Sequence, residues 1–125
     1  NIQGLDPFLP ELADMYTGLV VDARGLDFVP SLTPEFYLGQ DLLYPGNTVD
    51  GSFAATRGLA RFFRNIDQAQ QSDQAGDMPL TIQALGLGPG GESSLILDER
   101  FSDLLRKVMV RPDNFLAQCN VVVVF

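Results

Sequence analysis

The chain predicts an α+β fold: a mixed β-sheet with two helices packed on it. Three observations carry that reading. Two strand-like apolar runs, Tyr16–Arg24 and Val121–Phe125, stand near opposite ends of the sequence. Between them, two stretches carry helix signals, one behind Asn65 and one behind Asp98. The remaining apolar runs are short and bounded by Gly or Pro, as strands are. The resulting order is strand, short strand, strand, helix, strand, strand, helix, strand, which does not alternate regularly and so points to a mixed sheet. At 125 residues the chain suits one domain, expected over 16–125 behind an N-terminal arm over 1–15.

Pro7 and Pro10 keep the arm extended or turned, with one helical turn allowed behind Pro10. Tyr16–Arg24 is β-rich and ends at Gly25; alternation places Gly18, Val20, Asp22 and Arg24 on one face. Glu35–Leu38 and Asp41–Tyr44 read as short strands, and Pro45–Gly46–Asn47 as a turn. Phe53–Phe63 fits either state; a strand over Leu59–Phe63 is preferred to a helix over Ala54–Phe63. Asn65 with Gln68 forms a capping-box pattern, so a helix is expected over Ile66–Gln74, ending at Gly76.

Pro79–Leu85 and Ser94–Leu97 read as a hairpin around the loop Gly86–Gly91. Asp98 suits the cap of a helix over Glu99–Val110, in which Phe101, Leu104, Leu105, Val108 and Met109 form one apolar stripe. Its acids come early and its bases late, as the helix dipole favours, and Pro112 stops it. The last strand is expected over Leu116–Phe125. Its Val121–Phe125 run is apolar on both faces and so belongs inside a sheet.

Composition narrows the chemistry by exclusion. The net charge of −8 leaves no basic footprint for nucleic acid and opposes attachment to anionic lipid. No apolar run approaches the roughly 20 residues that a membrane-spanning helix needs. Histidine is absent, which removes the usual general base near neutral pH and the commonest metal ligand. The single cysteine, Cys119, permits no intrachain disulfide and reads as a small buried hydrophobe. No catalytic residue, cofactor-binding motif or metal-ligand set is expected.

The glycine loop at 86–91 lacks the following helix and the Lys–Ser/Thr pair of a phosphate loop, and Glu92 would repel phosphate. Carboxylate pairs such as Asp98 with Glu99, or Asp22 with Asp27, have no cleft signature for glycoside hydrolysis. Asp22 and Arg24 stand out, side by side before Gly25. They fit either an ion pair closing a strand end or a charged contact in a subunit interface, where arginine is favoured. Phe36, Tyr37, Tyr44, Phe62 and Phe63 are candidates for a binding groove, although aromatics more often fill cores.

Tyr16–Leu26, read as YTGLVVDARGL and followed by Pro30 and Pro34, resembles a pattern found in flagellar assembly lipoproteins, the P-type assembly protein and the twenty-kilodalton surface lipoprotein family. Gly58–Arg61, Asp77–Ala84 and Cys119–Val124 are similar to later blocks of that pattern, while residues 39–57 lack its acidic turn. The resemblance implies a non-enzymatic, periplasmic or extracellular protein associated with the outer membrane, assembling with itself and other envelope proteins into rings or discs. Asp22, Arg24 and Gly25 would then be interface residues. The alternative expectation is a periplasmic domain that binds a small molecule or peptide in the aromatic groove.

Overall fold

The computed structural model describes residues 10–45, 49, 51–111 and 114–125. In chain order its elements are β1 (Gly18–Asp22), β2 (Glu35–Leu38), β3 (Asp41–Tyr44), α1 (Gly51–Arg57), β4 (Arg61–Phe63), α2 (Ile66–Gln71), β5 (Pro79–Leu87), β6 (Ser94–Leu97), α3 (Ser102–Met109) and β7 (Val121–Val124). Short 3-10 turns occupy Pro10–Met15, Asp73–Ala75 and Glu99–Phe101. The fold is α+β, in one compact domain. The expected turn at Pro45–Asn47 and the stop at Pro112 fall partly or wholly outside the described residues.

The seven strands form one mixed sheet in the order β3-β2-β6-β5-β1-β7-β4. β1 sits at the middle of a parallel group: Leu19 pairs with Leu80 and with Val121, and Val21 with Ile82 and Val123. β4 continues that group, pairing parallel to β7. The expected hairpin is present, β5 running antiparallel to β6, while β2 runs parallel to β6 and antiparallel to β3.

Because side chains alternate, each central strand feeds two cores. Leu19, Val21, Ile82, Leu97, Val121 and Val123 point to an inner face, where Leu104, Leu105 and Val108 of α3 meet them. Val20, Val122 and Val124 point outward, onto Ala69 of α2 and Ala75. This double cover is why β7 is valine throughout. Gly18 belongs to the same arrangement, since a Cβ there would lie 1.8 Å from the Ala75 carbonyl oxygen. The bare backbone lets the 73–75 turn sit directly on β1.

The caps form as the sequence implies. Asn65 Oδ1 accepts from the amides of Asp67 (2.8 Å) and Gln68 (3.1 Å), and Asp98 Oδ1 from the amide of Arg100 (3.0 Å). Gly76, at φ +77°, ends the second helical region, whose last turn is 3-10. The described end of the expected arm, Pro10–Met15, packs on α3: Ala13 is buried and Asp14 pairs with Arg111.

Several expectations differ from the structure: β1 is confined to Gly18–Asp22, α2 stops at Gln71, and β5 runs on to Leu87, into the expected glycine loop. Phe53–Phe63 holds both candidate states in succession, the greater part of helix α1 and then the short strand β4, so the described residues include three α-helices rather than two. Residues 116–119, expected in the last strand, belong to a turn over 115–119 in which Asn114 Oδ1 accepts from the amide of Ala117 (2.8 Å). Leu116 is buried there as it would be in a strand, so its hydrophobicity does not separate the two.

The sheet also curls. Laid flat, seven strands would hold β3 and β4 about 29 Å apart, six spacings of about 4.8 Å. Yet the Tyr44 hydroxyl on β3 donates to the carbonyl of Leu59, two residues before β4. The chain before β4 therefore reaches back to the far edge of the sheet, beside the core that α3 covers.

Candidate functional site

At the end of β1 the structure joins Asp22 to Arg24. Asp22 Oδ1 accepts from the Arg24 amide (3.1 Å) and Nε (2.9 Å), and Oδ2 from Nη2 (2.7 Å). The hydrogen bonds from Arg24 hold the Asp22 carboxyl below its ordinary pKa, against a smaller opposing effect of burial. Gly25 follows at φ +84° and carries the chain into a turn. The same clasp recurs after β6, where Arg100 Nη2 lies 2.6 Å from Asp98 Oδ2. In the sequence Asp98 reads as a helix cap and as a neighbour of Glu99; the Asp-x-Arg spacing it shares with Asp22 is the signal for this second clasp. In both places arginine folds back on an acid two residues away, which is local closure of a strand end.

The five aromatic candidates do not line one groove. Phe36 and Tyr44 are buried and stacked in the inner core, with ring centroids 5.5 Å apart. Tyr37, the next residue on β2, points to the opposite face, because adjacent strand residues must. Phe62 borders the inner core beside Phe28, whereas Phe63 packs in the second core with Val20 and Val122. Burial, reinforced by a hydrogen bond with Cys119, pushes the Tyr44 phenol pKa well up.

Among the described residues, half of the outer sheet face is left uncovered. On the outer side, α2 and the 73–75 turn cover β1, β7 and β4, and the cover ends at β5, where Gln70 Nε2 donates to Thr81 Oγ1 (3.0 Å). Beyond that line the outward residues include Leu85 of β5, Ile96 of β6, Tyr37 of β2 and Leu42 of β3. Register places them in one row: Leu42 opposite Tyr37, Tyr37 opposite Ile96, and Ile96 opposite Gly86, beside Leu85. Leu85 is 62% and Leu42 46% exposed. The glycine loop after β5 crowds the rim of this face, since a Cβ on Gly90 would lie 1.9 Å from Glu35 Oε1. It is a hairpin connection, followed by a strand rather than a helix.

Among the described residues, no group of three or more Cys, Asp or Glu is placed to hold a metal ion, and no helix is long and apolar enough to cross a membrane. Geometry thus defines a mixed-sheet domain with an apolar row on a sheet face that the described residues leave uncovered, and with Asp22 and Asp98 each closed by a local arginine. Residues 18–125 match the family model for the second domain of Treponema pallidum Tp0624, and the chain belongs to that family. No curated protein matches the sequence at a significant level.

Proposed function

We propose that this domain is a non-enzymatic structural module of the bacterial envelope that associates with copies of itself through the bare outer face of β3, β2, β6 and β5. The observation carrying this reading is the row Leu42, Tyr37, Ile96 and Leu85, contiguous across four strands and left without the helical cover that the other half of the face has. A contiguous exposed apolar patch on a sheet marks an interaction surface more often than a chance arrangement. The resemblance of Tyr16–Leu26 to flagellar assembly lipoproteins supports an envelope location and a ring, disc or filament arrangement. Asp22 and Arg24 then act as strand-end closure beside the assembly surface.

Light scattering coupled to size exclusion tests the proposal. Association is expected with a dissociation constant below about 1 mM, and Leu85→Glu should weaken it at least about tenfold by placing a charge in the row. A parent chain that stays strictly monomeric at that concentration refutes self-association. An oligomer that Leu85→Glu leaves unchanged refutes this face as its seat.

A further inference from the structure

A second feature lies away from the bare face, between α1 and the 73–75 turn. There a cleft of about 460 Å³ is lined by Thr56, Arg57, Arg61, Asp73 and Gln74. Its volume falls within the roughly 300–1,000 Å³ usual for small-molecule sites. Three of the chain's eight cationic residues, Arg57, Arg61 and Arg64, fall within this short stretch of an otherwise strongly acidic chain.

Three other arginines are paired with neighbours, Arg24 with Asp22, Arg100 with Asp98 and Arg111 with Asp14, and Arg64 lies over the Phe125 ring. Among the described residues, neither Arg57 nor Arg61 has a carboxylate within 4.0 Å, although Asp73 lines the same cleft. Toward the described residues the two guanidinium groups therefore keep donors open to a ligand, in the planar fork that suits a carboxylate.

The floor is fixed. Gln74 is 3% exposed, and its Nε2 donates to the Cys119 carbonyl at 2.9 Å. Cys119 holds a left-handed conformation at φ +59°, unusual for a residue with a side chain, and in it presents that carbonyl. Arg57 is also close enough to the Tyr44 hydroxyl to oppose, in part, the upward push of burial on that phenol.

The charges are of opposite sign within one cleft: two arginines and an aspartate. A dianion such as phosphate would meet the arginines but be repelled by Asp73. A ligand with both a carboxylate and an ammonium group satisfies both. We infer that this cleft binds a small zwitterion, a free α-amino acid or short peptide, with its carboxylate on Arg57 and Arg61 and its ammonium toward Asp73. The site is separate from the assembly face and does not depend on it.

Amide-resolved NMR titration of the 125-residue chain tests this directly, with glycine and glycylglycine as probes. N-acetylglycine, lacking the ammonium, and glycinamide, lacking the carboxylate, serve as charge-deleted controls. At least one zwitterion should give saturable shifts at Arg57, Arg61, Asp73 and Gln74. Deleting either ligand charge should weaken binding about fivefold, and Arg61→Gln, at an exposed position, should do the same. Asp73→Asn should abolish the preference for the zwitterion over its acetylated form. Tighter glycine assigns a free amino acid, and tighter glycylglycine a peptide. Absence of saturable shifts with both, equal binding of N-acetylglycine, or indifference to Arg61→Gln overturns the inference.

Discussion

Replacing Gly18 by alanine tests the closest contact in the fold. The new Cβ would lie 1.8 Å from the Ala75 carbonyl oxygen and 2.5 Å from its carbon, where real Cβ contacts stay above 3.0 Å. The obstacle is backbone, so no rotamer change relieves it; the 73–75 turn must retreat by about 1.2 Å, the difference between 3.0 and 1.8 Å. That retreat pulls Gln74 off the Cys119 carbonyl, now 2.9 Å away. It also lifts Ala75 from Val20 and Val122. Overpacking of this kind costs about 2 kcal/mol, and the loosened buried hydrogen bond about 1 kcal/mol more. The sum, about 3 kcal/mol, is a large part of the 5–15 kcal/mol that holds an ordinary domain together. With a urea m-value of roughly 1.5 kcal/mol/M, the unfolding midpoint should fall by about 2 M. Gly86→Ala is the control, because a Cβ there meets nothing within 4 Å; its effect should stay within about 0.5 kcal/mol. A Gly18→Ala midpoint indistinguishable from that control would refute the packing of the 73–75 turn on β1.

Two further predictions concern pH. The Asp22 carboxyl has a lowered folded pKa, so its contribution is present above the unfolded value of about 3.9 and lost as pH falls through the folded one. Asp22→Asn should therefore cost up to about 1 kcal/mol at neutral pH, with the gap to the parent closing below about pH 4. A gap independent of pH in denaturant titrations would show that the ion pair contributes nothing. The Tyr44 phenol has a raised pKa, so its contribution is full below the unfolded value of about 10 and is lost as pH climbs beyond it. Tyr44→Phe should lose about 1 kcal/mol at neutral pH by dropping the bond to Leu59, and should then decline less steeply than the parent above about pH 10. Parallel declines would place the alkaline loss elsewhere.

The elements that bury much apolar surface were the legible ones. The valines of β1 and β7 form unbroken apolar runs because two cores demand them, and the stripe Phe101, Leu104, Leu105, Val108 is periodic because one core does. Helix α1 was not legible: none of its residues is buried, so nothing imposes a stripe. The aromatic groove failed on a point the sequence already held, since Phe36 and Tyr37, like Phe62 and Phe63, are neighbours on strands and must face apart. The Asp22–Arg24 pair was readable because it is local. The Arg57–Arg61–Asp73 cleft was not, because it depends on how α1 and the 73–75 turn settle over the ends of distant strands. The bare outer face likewise needed the strand order, which no single run of residues states.

The position of β7 bears on how this domain comes into being. Its four residues fill the slot between β1 and β4, and Leu19 meets Val121 across about a hundred intervening positions. Local helices, the β5–β6 hairpin and the β1–β5 pairing can form without it, but the place between β1 and β4 stays a gap until residues 121–124 have been made. A pairing of such long sequence separation makes folding slow. Until then, β1 and β4 each keep an edge open to pairing with another chain, the usual route to aggregation. A nascent chain of this domain is thus most exposed just before its last valines emerge, the stage at which a holding chaperone would matter most.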